Sequence, residues 1–118
     1  MCIRDREDTV AFLKAARVLG CDAADVSAGG LDKAQQMPEL KPGYQVEYAR
    51  VVKKETGLVT FAVGLIKEPL QAEAILAAGE ADGICVGREM LRNPNWGWTA
   101  AQALHAMVAF PPPYLRAF

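Results

Sequence analysis

Helix-like and strand-like segments alternate along this 118-residue sequence, and this alternation limits the possible folds more than any other feature. Three segments have the 3.6-residue apolar spacing of helices, namely residues 8–20, 45–57 and 68–79. Three short, largely apolar runs lie between or after them, namely residues 23–26, 58–63 and 83–86. Such runs are typical of strands in a parallel sheet. The order predicts an α/β fold in which helices cover the faces of a parallel sheet.

Start and stop signals support each predicted helix. The first helix runs from Asp8 to Gly20, and the third begins at Glu68-Pro69, where proline is well tolerated. The predicted buried faces are Phe12, Leu13, Ala16 and Leu19 in the first helix, Val46, Ala49 and Val52 in the second, and Ala72, Ile75 and Leu76 in the third. A last helix is predicted over about residues 98–108. Pro111-Pro112-Pro113 then predicts an extended tail.

Charge and cysteine content exclude several classes of partner and site. The sequence contains thirteen Lys and Arg and fourteen Asp and Glu, which gives a net charge of -1. This charge predicts neither nucleic-acid nor membrane binding. No apolar run approaches the ~20 residues of a membrane span. The three cysteines form no CxxC pair and there is one histidine, which predicts no metal site and a reduced, cytoplasmic setting.

Three parallel strands alone would leave two sheet edges unpaired, which natural folds avoid by closure or cover. The alternating helices and strands are therefore better explained as a segment of a larger closed barrel than as an independent unit. Residues 1–6 have no periodicity and resemble a translated sequencing adapter, although a natural disordered N-terminus is the alternative. We expect the true chain to begin upstream.

Two glycine turns follow successive predicted strands. Gly64 and Gly87 would let backbone N–H groups approach phosphate oxygens closely, and Arg88 adds a planar, permanently charged group suited to phosphate. Each glycine alone would indicate a tight turn, and Arg88 alone a surface ion pair. Because ligands bind at the carboxyl ends of parallel strands, the joint placement favours a phosphate site.

Several longer motifs resemble the old yellow enzyme family. They are Val63-Gly64-Leu65-Ile66, Gln71-Ala72-Glu73, Ala81-Asp82-Gly83, Gly87-Arg88-Glu89, Leu91-Arg92 and Asn93-Pro94 with Trp96. Upstream, Asp25-Val26-Ser27-Ala28-Gly29-Gly30 and Pro42-Gly43-Tyr44-Gln45 are similar to the thermophilic-type ene-reductase subclass. The resemblance covers residues 8–118 and implies the last three βα units of a (β/α)8 TIM barrel.

The resemblance also implies a site. Residues 7–110 would be the partial barrel, in which Gly87, Arg88, Gly64 and Leu65 bind the FMN phosphate and Ser27 lies near the flavin edge. Residues 111–118 would be a C-terminal arm, from which Arg116 enters the active site of a neighbouring subunit. That role implies a homo-oligomer, a dimer or tetramer.

The activity implied by the resemblance is hydride transfer from NADPH or NADH to FMN and then to an activated alkene. The family's substrate-holding histidine pair and proton-donating tyrosine would precede Asp8, so no catalytic residue is assigned here, and this segment alone is expected to be inactive. Two alternatives stay open. One is part of another FMN- or phosphate-binding TIM-barrel enzyme, and the other is a stand-alone α/β module that binds a partner through its sheet edges.

Overall fold

Three parallel strands and the helices between them organise the part of the chain that the computed structural model describes, which is residues 6–29, 34 and 39–117. The elements are helix α1 (Arg6–Val18), strand β1 (Ala23–Val26), helix α2 (Val46–Thr56), strand β2 (Val59–Ala62), helix α3 (Pro69–Ala77), strand β3 (Gly83–Ile84), helix α4 (Arg88–Arg92) and helix α5 (Trp96–Ala103). A 3-10 turn, Pro112–Tyr114, follows. Their order and type confirm the predicted α/β architecture. Residues 1–5 of the predicted leader and Gly30 lie outside the described residues.

The sheet has the order β1-β2-β3, with Ala23 paired to Val59 and Phe61 paired to Gly83. Side chains alternate between its two faces. One face packs against the helices and forms the core, which contains Ala24, Val26, Ala49, Val52, Leu58, Ala62, Ile66, Ala72, Ile75 and Ala81. The other face carries exposed Asp25 and Val59, so the helices cover one face rather than both. Helices cover only the outer face of the sheet in a (β/α)8 barrel.

Helix α1 lies against α2 through long polar side chains. Arg17 donates a hydrogen bond to the carbonyl of Thr56. The Lys14 ammonium lies 3.8 Å from the Glu55 carboxylate. The Arg6 guanidinium lies over the Tyr48 ring. The predicted apolar face is therefore only partly correct. Leu13 packs against the core, whereas Phe12 is 70% exposed and Leu19 is 88% exposed.

The amino ends of β2 and β3 are joined by an anchor formed by Lys53, Thr60 and Asp82. The Asp82 carboxylate accepts the Thr60 backbone N–H at 2.9 Å and pairs with the Lys53 ammonium at 2.9 Å. The Asp82 N–H in turn donates to the Thr60 carbonyl at 2.7 Å. Thr60 is fully buried, so the anchor fixes β3 beside β2 and α2 at the end of the sheet from which the strands start.

The last third of the chain differs from the prediction in detail. The five-residue helix α4 was not predicted, and α5 begins earlier and ends at Ala103 rather than near residue 108. His105 follows with a left-handed φ of 53°, so it lies outside the helix. The tail turns at Pro112–Tyr114, and Trp98 packs edge-on against Phe110 and Tyr114. Trp98 therefore holds the tail against α5.

Candidate functional site

The carboxyl ends of the three strands open onto one cleft of about 260 Å³. Its walls come from the segment after β1, the segment after β2, the start of α4 and the residues that lead into α2. The lining residues are Ser27, Tyr44, Gln45, Val63, Gly64, Leu65, Ile66, Lys67, Cys85, Gly87, Arg88, Glu89 and Arg92. All five residues predicted to bind FMN, namely Ser27, Gly64, Leu65, Gly87 and Arg88, lie in this set.

Gly64 and Leu65 form a bend in the chain one residue after β2 ends. Gly64 has φ of 123° and Leu65 has φ of 54°, a region that costs little for glycine but strains a side-chain-bearing residue. A Cβ on Gly64 would lie 3.2 Å from the Tyr44 ring, and the Gly64 carbonyl accepts the Gly43 N–H at 2.8 Å. The missing side chain of Gly64 therefore makes room for Tyr44, a reason that differs from the close approach to phosphate expected from sequence.

Gly87 and Arg88 lie where β3 leads into α4. A Cβ on Gly87 would meet no other heavy atom within 4 Å, so this backbone faces open space. Arg88 is exposed and forms no ion pair with any residue that the structure describes, unlike Arg92, whose guanidinium lies 2.8 Å from Glu89. The surface ion pair considered for Arg88 is thus not found among these residues, and its charge is available to a ligand.

Cys85 is the ionisable thiol in the wall of the cleft. Burial raises the pKa of the Cys85 thiol above its ordinary value, and the nearby Asp25 carboxylate raises it further. The thiol is therefore protonated at neutral pH and acts as a small, weakly polar wall residue rather than as a nucleophile.

Tyr44 and Gln45 are site residues that sequence reasoning missed. Gln45 is 4% exposed, and its amide Nε2 donates to the Ala28 carbonyl at 2.8 Å and to the Tyr44 hydroxyl at 2.7 Å. Both residues belong to the motif Pro42-Gly43-Tyr44-Gln45, which the sequence analysis used only as a sign of resemblance. A polar glutamine directly before a helix gives no sequence signal that it is buried.

Arg116 lies in the exposed tail and does not line the cleft. Within residues 6–29, 34 and 39–117, no three His, Cys, Asp or Glu side chains are grouped as metal ligands. None of the helices in those same ranges has the length and apolar character needed to cross a membrane.

Comparison with known proteins gives no matching family model but several close relatives. The chain is 41% identical over 110 residues to an NADPH dehydrogenase of Geobacillus thermodenitrificans. It is 41% identical over 112 residues to one of Listeria innocua and 43% identical over 114 residues to one of Bacillus licheniformis. The chain is a relative of bacterial NADPH dehydrogenases.

These NADPH dehydrogenases confirm the resemblance to the old yellow enzyme family. The matches cover 93%, 95% and 97% of this chain but only 32%, 32% and 33% of the three relatives. The cleft therefore corresponds to one part of a longer NADPH dehydrogenase in each relative, and the described βα units correspond to part of a larger barrel.

Proposed function

We propose that this chain forms the FMN phosphate site of an NADPH-dependent flavin oxidoreductase. The observation that carries the proposal is the convergence of Ser27, Gly64, Leu65, Gly87 and Arg88 on one cleft at the carboxyl ends of the strands. The names of the relatives, NADPH dehydrogenase, support the proposal that the parent protein is a nicotinamide-dependent oxidoreductase. The proposal adds FMN as the cofactor and an activated alkene as the substrate.

The residues around the cleft fit the phosphate of FMN. Arg88 and Lys67 are both exposed cations without an acidic partner among the described residues, so a dianion can be neutralised there. The open space beside Gly87 admits phosphate oxygens close to the backbone. The acidic wall residue, Glu89, is already paired with Arg92 and repels an anion less than a free carboxylate would.

The chain's own contribution is binding and orientation. Arg88 and Gly87 would hold the phosphate, the turn at Gly64 and Leu65 would close one side, and Ser27 would lie on the side of β1. Bound FMN would supply hydride transfer from NADPH to an activated alkene. By the resemblance, the residues that hold the substrate and donate the proton would precede Asp8, and none of them is assigned to this chain.

The decisive experiment compares FMN with riboflavin, which lacks the phosphate. The dissociation constants of both flavins are measured by fluorescence quenching on the protein expressed from the complete reading frame, with and without Arg88→Ala. Because a hydrogen bond to a charged group contributes about 1.5–3 kcal/mol, we expect FMN binding to weaken roughly 10- to 150-fold and riboflavin binding to stay unchanged.

Arg50→Ala is the matched control, because Arg50 is an exposed arginine that pairs with Glu47 outside the cleft. It should leave both dissociation constants unchanged. If Arg88→Ala weakens FMN and riboflavin equally, or leaves FMN binding intact, Arg88 does not bind the phosphate and the proposal is wrong.

A further inference from the structure

We infer that Tyr44 is a ligand-binding residue of this cleft, whose hydroxyl donates a hydrogen bond to an oxygen of the bound flavin nucleotide, and that Gln45 positions it. The inference rests on the proposed function for the identity of the ligand. It begins from the ring of Tyr44, which covers Gly64 on one side and carries its hydroxyl to Gln45 on the other. Both residues line the cleft that Arg88 lines.

The orientation of the Gln45 amide is fixed by its surroundings. The carbonyl of Ala28 can only accept hydrogen bonds, so the atom 2.8 Å from it must be the Nε2 donor and not Oε1. The second proton of Nε2 then points to the Tyr44 hydroxyl at 2.7 Å. Gln45 therefore acts on Tyr44 as a donor, and the Tyr44 oxygen acts as the acceptor.

This arrangement leaves the hydroxyl proton of Tyr44 unused. A phenol oxygen that accepts one hydrogen bond still has its own proton to donate, and no described residue accepts it. The donated bond from Gln45 also polarises the Tyr44 O–H, which strengthens it as a donor. A half-buried donor in the wall of a cleft that contains Arg88 and Lys67 suits an oxygen-rich, anionic ligand.

The Gln45 side chain also contains a buried polar atom that lacks a hydrogen-bond partner among the described residues, which destabilises the fold. Its Oε1 is buried and accepts no hydrogen bond from any residue that the structure describes. Buried polar atoms without partners are rare in native proteins, and each calls for an explanation. The side chain nevertheless donates two hydrogen bonds, one of which holds the segment after β1 and one of which sets the direction of the Tyr44 hydroxyl.

The test uses Tyr44→Phe, which removes the hydroxyl and keeps the ring over Gly64. Dissociation constants for FMN and riboflavin are measured on the protein from the complete reading frame, beside Arg88→Ala. We expect Tyr44→Phe to weaken FMN binding roughly 3- to 10-fold. Equal weakening of riboflavin would place the acceptor on the ribityl chain, and unchanged riboflavin binding would place it on the phosphate; either result supports the inference.

Gln45→Glu separates positioning from packing. A carboxylate at this position would accept the Tyr44 proton and turn the hydroxyl away from the ligand, so it should reduce FMN binding at least as much as Tyr44→Phe does. The double variant Tyr44→Phe/Gln45→Glu should then bind no more weakly than Gln45→Glu alone. Tyr48→Phe is the matched control, since the Tyr48 ring packs beside the core outside the cleft and its substitution should leave binding unchanged.

The inference is overturned if folded Tyr44→Phe binds both flavins as the unsubstituted protein does. If Arg88→Ala still discriminates FMN from riboflavin in that case, the proposed function stands and only the role of Tyr44 is lost. If the unsubstituted protein binds neither flavin, the proposed function and this inference are both wrong.

Discussion

The aromatic ring of Phe61 lies directly over Gly83 on the neighbouring strand, so that a Cβ added to Gly83 would lie 2.5 Å from Cδ1 of the ring. The two residues are partners in the register of β2 and β3. This contact lies on the sheet face that the helices leave uncovered, where Phe61 is half-buried. A side chain at position 83 would therefore occupy space that the Phe61 ring already fills.

Gly83→Ala is expected to destabilise the protein. Overpacking of this kind costs about 1–3 kcal/mol, because the ring or the strand must shift to accept the methyl group. Urea denaturation of the protein from the complete reading frame measures the change. Gly97→Ala is the control, since a Cβ there meets no atom within 4 Å and lies in α5, where alanine is favoured over glycine. Equal losses in both variants would contradict the steric explanation.

Asp82→Asn is expected to lower stability in a pH-dependent way. Lys53 and the Thr60 N–H lower the pKa of the Asp82 carboxyl below its ordinary value. A carboxyl with a lowered native pKa stabilises the fold fully above about pH 5, and this contribution disappears as pH falls through the native pKa.

The difference in unfolding free energy between Asp82→Asn and the unsubstituted protein should therefore shrink between pH 6 and pH 3. Asp22→Asn removes an exposed aspartate that has no hydrogen bond or ion pair among the described residues, and it should show a small difference at every pH. A difference for Asp82→Asn that stays constant with pH would rule out the charged anchor.

The thiol of Cys85 is expected to react slowly with iodoacetamide. Because burial and Asp25 raise the pKa of the Cys85 thiol, its alkylation at pH 8 should be slower than that of free cysteine and should increase at higher pH. Asp25→Asn should increase the rate by removing the repulsion, whereas Asp22→Asn should not. Alkylation is followed by mass spectrometry on the peptide that contains Cys85, and a rate insensitive to Asp25→Asn would exclude the electrostatic contribution.

Arg116 remains a prediction from the resemblance, and complementation between subunits tests it. If Arg116 enters a neighbouring active site, Arg116→Ala and Arg88→Ala subunits should each be poorly active, yet their mixture should regain activity. Random pairing in a dimer gives about one half mixed dimers, each with one complete site, so recovery to about a quarter of full activity is expected. A mixture no more active than its components would place Arg116 outside the partner's site.

Local signals predicted the elements that have clear boundaries. Gly57 with a left-handed φ of 64° ends α2, and Pro69 begins α3, as their positions in the sequence indicated. The rule that parallel strands present ligand sites at their carboxyl ends predicted that Gly64, Gly87 and Arg88 lie near one another, and all three line one cleft. These features depend on the residues themselves and on the order of elements.

Features that depend on distant neighbours could not be predicted in this way. The spacing of Phe12 and Leu19 shows that α1 has an apolar stripe, but not that α2 contacts a different side of the helix. Likewise the burial of Gln45 depends on the Ala28 carbonyl, 17 residues away. The end of α5 carries no glycine or proline, so the sequence gives no signal that the helix ends before His105.

The anchor formed by Lys53, Thr60 and Asp82 has a consequence for how this unit can change. It lies at the end of the strands opposite to the cleft, so the contacts that hold the sheet together are separated from those that line the cleft. Substitutions at exposed cleft residues such as Lys67 and Arg88 can then diversify ligand preference without loosening the anchor. In directed evolution, libraries that vary these exposed cleft residues should yield folded members far more often than libraries of equal size that vary the anchor.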